Sequence, residues 1–249
     1  AMTDASNAAG QPLIAHLLEL RNRLLKAMVV IFIVFLCLFA YSRELYTLVA
    51  KPLMDAMPAG TNMIATGVAS PFLAPFKLTL YLSVFAAMPF ILHQAWAFVA
   101  PGLYKHEKKL AIPLLASSVL LFYGGAAFAY FVLFPLMFQF FTAIAPEGVA
   151  VTTDISSYLD FVLALFLAFG LAFELPIAIV LLVSTGATTV EKLSKARAYV
   201  VVGCFVIGML LTPPDIISQT LLAIPMWFLF EMGLLAARMV KKQAENPPA

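Results

Sequence analysis

Residues 158–183 read YLDFVLALFLAFGLAFELPIAIVLLV, and this run contains only two charged residues, Asp160 and Glu174. A helix of about 20 mostly apolar residues crosses a hydrocarbon core roughly 30 Å thick, so the segment predicts a transmembrane helix. Of the 249 residues in the chain, 63% are hydrophobic and 11% are charged. Soluble domains are about 45–50% apolar and about 25% charged. The composition therefore predicts a protein surrounded by lipid.

Apolar runs bounded by charged residues predict six transmembrane helices in one membrane domain that covers residues 1–249. The predicted spans are 24–41, 76–98, 112–141, 158–183, 198–211 and 219–237. Lys and Arg concentrate in cytoplasmic segments. Twelve of the fifteen fall on one side, three each in 21–26, 105–109, 192–197 and 238–242, and only Arg43, Lys51 and Lys77 fall on the other. Both termini are predicted to be cytoplasmic, in an all-α inner-membrane protein.

The predicted spans differ in length. The third is long enough to tilt or bend, and Gly124, Gly125 and Pro135 are available to bend it. The last two are predicted to be short, and the fifth spans only about 21 Å. The turn at 212–215 is therefore expected to sit below the outer surface, or the bilayer to thin around it. Residues 42–75 predict a periplasmic loop cap, made of a short amphipathic helix and an irregular loop.

Several acids have two interpretations. Glu174 lies inside the fourth span, where a charge costs roughly 2.5–3.5 kcal/mol, so it is either a bonded helix contact or a polar site for a substrate or partner. Asp215 caps the sixth helix or joins Thr212, Ser218 and Gln219 in a polar cluster that meets a partner helix. Glu19 has Arg23 at the i,i+4 position, which favours a structural helix pair. Glu107, beside three lysines, also favours a solvated charge.

The sequence offers no support for catalysis. No HExxH helix, GxSxG elbow or P-loop is present, and Cys37 and Cys204 lie in apolar runs without metal-ligand spacing. No metal or cofactor is therefore expected. A net charge of +2 is too small to indicate nucleic acid as a partner. The alternative to a receptor is a secondary transporter that carries protons on Glu174, but the paired repeats typical of that class are not visible.

Five strings resemble the TatC family, which is the multispanning subunit of the bacterial twin-arginine translocase. They are HLLELRNRL (16–24), WAFVAPGLYKHE (96–107), FGLAFELP (169–176), LTPPD (211–215) and QTLLAIP (219–225). The resemblance runs from about Pro12 to Lys242. It implies a protein that binds twin-arginine signal peptides of folded precursors, recruits the single-span subunits TatB and TatA, assembles with further TatC copies, and uses the proton motive force.

The resemblance also assigns roles to residues. It implies that Glu19 and Glu107 bind the twin arginines, together with Arg21 and Phe98, and this outweighs the structural interpretation of both acids. It implies an intramembrane contact at Glu174. The remaining residues that it marks are Met209, Thr212, Asp215 and Gln219 for partner docking, and Pro52 and Tyr130 as sensitive positions in or near the loop cap.

Overall fold

The described part of the chain is all-α. The computed structural model describes residues 3–56, 63–99, 108–144, 153–213 and 215–245, and within them the only β interaction is an isolated bridge between Ile64 and Asp154. The α-helices are α1 Thr3–Phe39, α2 Ser42–Ala56, α3 Ser70–Ala86, α4 Met88–Val99, α5 Lys108–Phe128, α6 Phe134–Ala143, α7 Ile155–Ala172, α8 Leu175–Ser184, α9 Val190–Lys195, α10 Arg197–Leu211 and α11 Ile216–Glu245. A π-helical segment, Ala129–Leu133, joins α5 to α6.

Four continuous helical segments in this part of the chain are long and apolar enough to cross a membrane. They are His16–Phe39, Ile112–Ala143, Ile155–Ser184 and Ile216–Val240. Helices α3 and α4 make a fifth span if they are counted together, and α10 is a shorter apolar helix. The all-α membrane fold is thus confirmed. The count of six spans, the orientation of the termini and the single membrane domain stay predictions.

The second predicted span is not one straight helix, which corrects the sequence interpretation. Helices α3 and α4 meet at Ala87 with a bend of 51°. Pro89 has no N–H to donate to the carbonyl of Phe85, so the regular hydrogen-bond ladder cannot pass this point. Ala87 N–H still bonds Ser83 O at 3.0 Å, and Ile91 N–H restarts the ladder at Ala87 O.

The third and fourth spans also deviate from a regular helix beside a proline. In the third span, Phe134 N–H bonds Ala129 O, a π-type bond immediately before Pro135. Pro135 was predicted as a place to bend the helix, and the π segment lies directly before it. In the fourth span, α7 ends at Ala172 and α8 begins at Leu175, because Pro176 cannot bond the carbonyl of Ala172.

The last two helices differ from each other in length. The fifth is short as predicted, since α10 has 15 residues, which is about 22 Å of helix. The prediction of a short sixth helix is wrong. Helix α11 has 30 residues. It contains Pro225 and Gly233, and no further proline or glycine follows them to end the helix before Glu245. The predicted end at residue 237, before the basic residues of 238–242, is not the end of the helix, which continues to Glu245.

The chain divides into two compact units, here called the first unit (1–42 and 79–119) and the second unit (43–78 and 120–249). In the first unit, α1 packs against α4. In the second unit, the segment from α5 to α6 meets α7 along an aromatic seam of rings 5.0–6.5 Å apart. The seam contains Phe128, Tyr130, Phe134, Phe138, Tyr158, Phe166 and Phe169.

A second core lies where α8, α9 and α11 pack together in the second unit. Its buried members are Ile179, Val180, Val190, Phe230, Leu234 and Ala237. Gly233 allows the close approach of α11 to α8, because a Cβ there would lie 2.9 Å from Cα of Pro176. Helix α10 packs against α11 in the same way, with Gly208 facing the backbone of Gln219. The predicted docking residues are therefore on a tightly packed helical hairpin.

Candidate functional site

Glu19 is held by an arginine of its own helix. Arg23 donates from Nε and Nη2 to the same carboxylate oxygen, Glu19 Oε1, at 3.0 and 2.5 Å. Arg23 Nη1 also donates to Gln94 Oε1 on α4 at 3.3 Å. The i,i+4 pair expected from the sequence is present, and it does more than stabilise α1. Because the guanidinium also reaches Gln94, it ties the position of the Glu19 carboxylate to α4.

The second oxygen of Glu19 is turned to a different neighbour. Oε2 lies 4.0 Å from His16 Nδ1, and the Glu19 side chain is 38% exposed. The His16 ring in turn stacks on Phe98 of α4, with ring centroids 4.1 Å apart and planes 16° from parallel. The structure therefore brings two of the predicted signal-binding residues, Glu19 and Phe98, to one place in the first unit. An arginine side chain reaching this place would find an exposed carboxylate oxygen beside an aromatic face.

The other two predicted signal-binding residues are not joined to this group. Arg21 is exposed and donates to the neighbouring Asn22 at 3.3 Å. Glu107 lies outside the described residues, as do the residues before it from Ala100. Phe98 is the penultimate residue of α4, which ends at Val99.

Glu174 lies at the break between α7 and α8. It is half-buried, and its Oε1 atom is fully buried. The backbone around it keeps helical bonding on both sides, since Glu174 N–H bonds Leu171 O at 3.1 Å and Glu174 O accepts from Ala178 N–H at 2.9 Å.

The predicted docking residues surround the turn between α10 and α11. Met209 is exposed, Thr212 is buried with its hydroxyl donating to Gly208 O at 2.9 Å, and Gln219 is half-buried. Asp215 accepts the N–H of Ser218 at 2.7 Å, which is the helix-capping interaction that its sequence context predicted. Thr212 and Asp215 are thus bonded within the turn, whereas the buried Ser218 hydroxyl has no hydrogen-bond partner among the described residues. Met209, at 51%, is the most exposed of the predicted docking side chains.

Pro52 and Tyr130 meet through the backbone of α2. A proline at position 52 has no N–H for the carbonyl of Leu48, four residues earlier in the helix. The Tyr130 hydroxyl donates to that carbonyl at 2.7 Å. The neighbouring carbonyl of Val49 accepts the Tyr158 hydroxyl at 2.8 Å. Two tyrosines of the aromatic seam therefore hold α2 at its proline, and this gives a physical reason to expect the two positions to act together.

We expect Tyr130→Phe and Pro52→Ala to be non-additive. Tyr130→Phe leaves the Leu48 carbonyl without its donor and lowers the free energy of unfolding by about 1 kcal/mol. In a Pro52→Ala background, the backbone N–H gained at position 52 supplies a donor, and the same change costs less by about 0.5 kcal/mol or more. Thermal unfolding of the four proteins in one detergent measures this coupling. Additive effects would show that the hydroxyl and the proline act independently.

Asp154 is a hub that the sequence interpretation missed. One of its oxygens caps α7 by accepting the N–H groups of Ser156 and Ser157 at 3.1 and 3.0 Å. The other accepts the N–H and the hydroxyl of Thr66 at 3.0 and 2.8 Å. The string Asp154-Ile155-Ser156-Ser157 before an apolar run is a helix-capping signal that was available in the sequence. The contact with Thr66 was not.

We expect the bonds between Asp154 and Thr66 to make the stability of residues 63–69 depend on pH. The Thr66 N–H, then the Ser157 N–H, hold the pKa of the Asp154 carboxyl well below its ordinary value of 3.8. Because the folded pKa is depressed, the stabilisation is complete above pH 3.8 and is lost as the pH falls towards the folded pKa. We expect hydrogen exchange of residues 63–69 to be faster in Asp154→Asn than in the parent protein at pH 7. The difference should narrow below pH 3.8, and a constant difference would exclude ionisation as the cause.

Two further ion pairs connect helices of the second unit. Arg197, at the start of α10, binds Glu231 of α11 through two parallel bonds of 2.6 and 2.8 Å. Lys77 of α3 pairs with Asp160 of α7. Glu231 lies within the predicted sixth span, so the energetic cost of an intramembrane charge that singles out Glu174 applies to Glu231 as well. The pair of Arg197 and Glu231 holds the first turn of α10 against α11, and the sequence predicts that this end of α10 faces the cytoplasm.

No group of three or more His, Cys, Asp and Glu side chains placed to hold a metal ion is present among the described residues. What the structure does show is a helical protein with several apolar spans, polar side chains at interruptions of those spans, and a carboxylate held at the start of the first. This defines a polytopic α-helical membrane protein.

Comparison with known proteins identifies the family. The model of the TatC family, described as Sec-independent protein translocase protein (TatC), matches residues 15–225. TatC of Azotobacter chroococcum mcd 1 is 59% identical over 94% of this chain and 92% of its own length, and TatC of Escherichia coli K12 is 58% identical over 95% and 92%. This chain belongs to the TatC family and is a component of a Sec-independent protein translocase.

The solved structures agree with the sequence relatives. A crystal structure of the twin-arginine translocase receptor TatC superposes with a TM-score of 0.82 at 35% identity, covering 91% of this chain and 99% of that one. A second crystal structure, of the same receptor in the detergent DDM, gives the same TM-score over 89% of this chain. The identification made from the five sequence strings is confirmed.

Proposed function

We propose that this chain is the receptor and scaffold subunit of a twin-arginine translocase. It binds the twin-arginine signal peptides of folded precursor proteins and recruits TatB and TatA for export driven by the proton motive force. The observation that carries the proposal is the Glu19 carboxylate, which is partly exposed and is bonded by Arg23, whose guanidinium also donates to Gln94. It is supported by the family and by the related receptor structure.

The geometry of Glu19 suits an incoming guanidinium. Both bonds from Arg23 end on Oε1, so Oε2 remains for the signal peptide, and a carboxylate accepts about four hydrogen bonds in all. A carboxylate pairs with an arginine fork through charge-assisted bonds, whereas a lysine offers a single point of contact. In this proposal Glu19 takes one signal arginine and Glu107 the other, with Phe98 near Glu19 and the exposed Arg21 further along α1.

The proposal includes the assembly of the translocase. Met209, Thr212 and Gln219 form the docking surface for the single-span partners, with Asp215 fixing the start of α11 and Glu174 providing a polar contact within the membrane. The chain crosses the inner membrane six times with both termini in the cytoplasm, and further copies of it join the complex. Binding and recruitment, not bond-making chemistry, are its activity.

Glu107→Ala is expected to weaken binding of a twin-arginine signal peptide by about tenfold or more, the usual scale for losing a charge-assisted pair. A twin-lysine peptide should bind poorly to the parent protein and to the variant alike. Fluorescence anisotropy of labelled peptides with detergent-purified protein measures both affinities. Glu44→Gln, which changes an exposed acid at the start of α2, is the matched control and should leave binding unchanged.

Unchanged binding of the twin-arginine peptide to Glu107→Ala would remove Glu107 from the site. A secondary transporter carrying protons on Glu174 makes a different prediction, namely substrate-dependent proton uptake by vesicles that contain this protein alone. No such uptake is expected from the receptor.

A further inference from the structure

The second unit contains a cavity that the proposed function does not use. It has a volume of about 580 Å³ and is open on one side, between α2 and the π-helical bend of the third span. Pro52 and Tyr130, which meet at the Leu48 carbonyl, both line the cavity. The other lining residues are Leu48, Lys51, Asp55, Phe131, Pro135 and Gln139.

On the side of the third span the walls are mainly apolar, with the Gln139 amide and the Tyr130 hydroxyl as polar exceptions. Phe131 is 73% exposed and Leu48 is 60% exposed, and Leu136, one position along from Pro135, is also exposed. Such side chains are as apolar as lipid tails and can contact them directly. A hydrocarbon chain can therefore lie along these apolar side chains next to the opening of the cavity.

Opposite charges stand at the rim. Lys51 and Asp55 occupy i,i+4 positions of α2, so they lie on one face of the helix about one turn apart. Both are exposed, and neither forms an ion pair within 4.0 Å among the side chains that the structure describes. The rim therefore presents one cation and one anion, with no net charge, beside an apolar wall.

We propose that this cavity binds one phospholipid with a zwitterionic, primary-amine headgroup. Lys51 contacts the phosphate, Asp55 accepts hydrogen bonds from the ammonium, and an acyl chain lies over Phe131 and Leu48. A lone phosphate would be attracted by Lys51 but repelled by Asp55, and an anionic headgroup without an amine has the same defect. A choline headgroup keeps the cation but has no N–H to donate to the carboxylate.

The proposal goes beyond signal recognition and does not depend on it, because all of its residues belong to the second unit and Glu19 and Glu107 to the first. A lipid held here would pack beside α2 at the point where Tyr130 and Pro52 fix that helix. Its expected effect is on the stability of the loop cap.

Native mass spectrometry of the purified full chain, given equal amounts of phosphatidylethanolamine, phosphatidylcholine and phosphatidylglycerol, tests the proposal. The parent protein should retain one phosphatidylethanolamine, with about tenfold preference over the other two, since one charge-assisted contact is lost with each of them. The double variant Lys51→Gln/Asp55→Asn should lose the preference. Arg43→Gln/Glu44→Gln, which removes an exposed opposite-charge pair from the same helix, should keep it.

Equal retention of the three lipids by the parent protein, or an unchanged preference in Lys51→Gln/Asp55→Asn, would overturn the proposal. Circular dichroism of both double variants establishes that they are folded. If the Lys51/Asp55 variant does not fold, the headgroup preference of the parent protein decides the matter alone.

Discussion

Gly125→Ala is expected to destabilise the protein by about 3 kcal/mol or more, at or above the upper end for overpacking a core. A Cβ at position 125 would lie 2.9 Å from the carbonyl carbon of Phe169, and nearer still to its oxygen. Both atoms are backbone, so the contact cannot be relieved by a rotamer change. Helices on either side of the aromatic seam must move apart, and the ring contacts between Phe128 and Phe169 are lost with the movement.

The neighbouring glycine provides a matched control. A Cβ at Gly124 meets only the Phe173 ring, at 3.8 Å, which is ordinary van der Waals contact. Gly203 of α10 has nothing within 4 Å of the same position. Alanine at either of these sites should be neutral or stabilise by up to about 1 kcal/mol, through helix propensity. Thermal unfolding in detergent compares the three. Equal melting temperatures for Gly124→Ala and Gly125→Ala would show that the third and fourth spans do not approach as described.

The second large effect is expected at Glu19. Glu19→Gln should weaken twin-arginine peptide binding by about tenfold to a hundredfold, because it removes the charge that pairs with the signal arginine. The folded protein should change little, since a partly exposed i,i+4 helix pair contributes only about 0.3–0.5 kcal/mol. Peptide affinity and melting temperature, measured together, separate these outcomes.

Gln94→Leu tests the positioning of that carboxylate. It keeps the Glu19 charge and removes the bond from Arg23 to α4, so it should weaken binding by less than Glu19→Gln does. An equal loss in the two variants would mean that Gln94 itself contacts the peptide. No loss in Glu19→Gln would contradict the assignment of this acid to the site.

The spans were predictable because the signal for a membrane helix is local. Apolar length alone located the regions that became α5–α6, α7–α8 and α10. The breaks within them were less accessible. The second predicted span contains Pro89, and a proline inside a helix removes a backbone hydrogen bond, but apolar length alone does not indicate the resulting bend. The sequence predicts that the sixth span ends at residue 237, before the basic residues, whereas α11 continues through them to Glu245.

Whether a contact at these sites could be predicted depends on how far apart its residues lie in the sequence. The pair of Glu19 and Arg23 is visible in the sequence because its members are four residues apart. The bond from Tyr130 to the Leu48 carbonyl joins positions 82 residues apart, and that from Thr66 to Asp154 joins positions 88 apart. One sequence contains no signal for such pairs. The resemblance marked Pro52 and Tyr130 as sensitive, and the structure supplies a physical link between them.

Photo-crosslinking from position 98 tests the receptor assignment most directly. A photoreactive phenylalanine analogue in place of Phe98 keeps an aromatic ring next to His16 and leaves both acids intact. It should capture a twin-arginine signal peptide and fail to capture its twin-lysine counterpart. The same analogue at Phe72, an exposed position in the second unit, should capture neither. Capture of both peptides alike from position 98, or of neither, would contradict recognition of the twin arginines at this place.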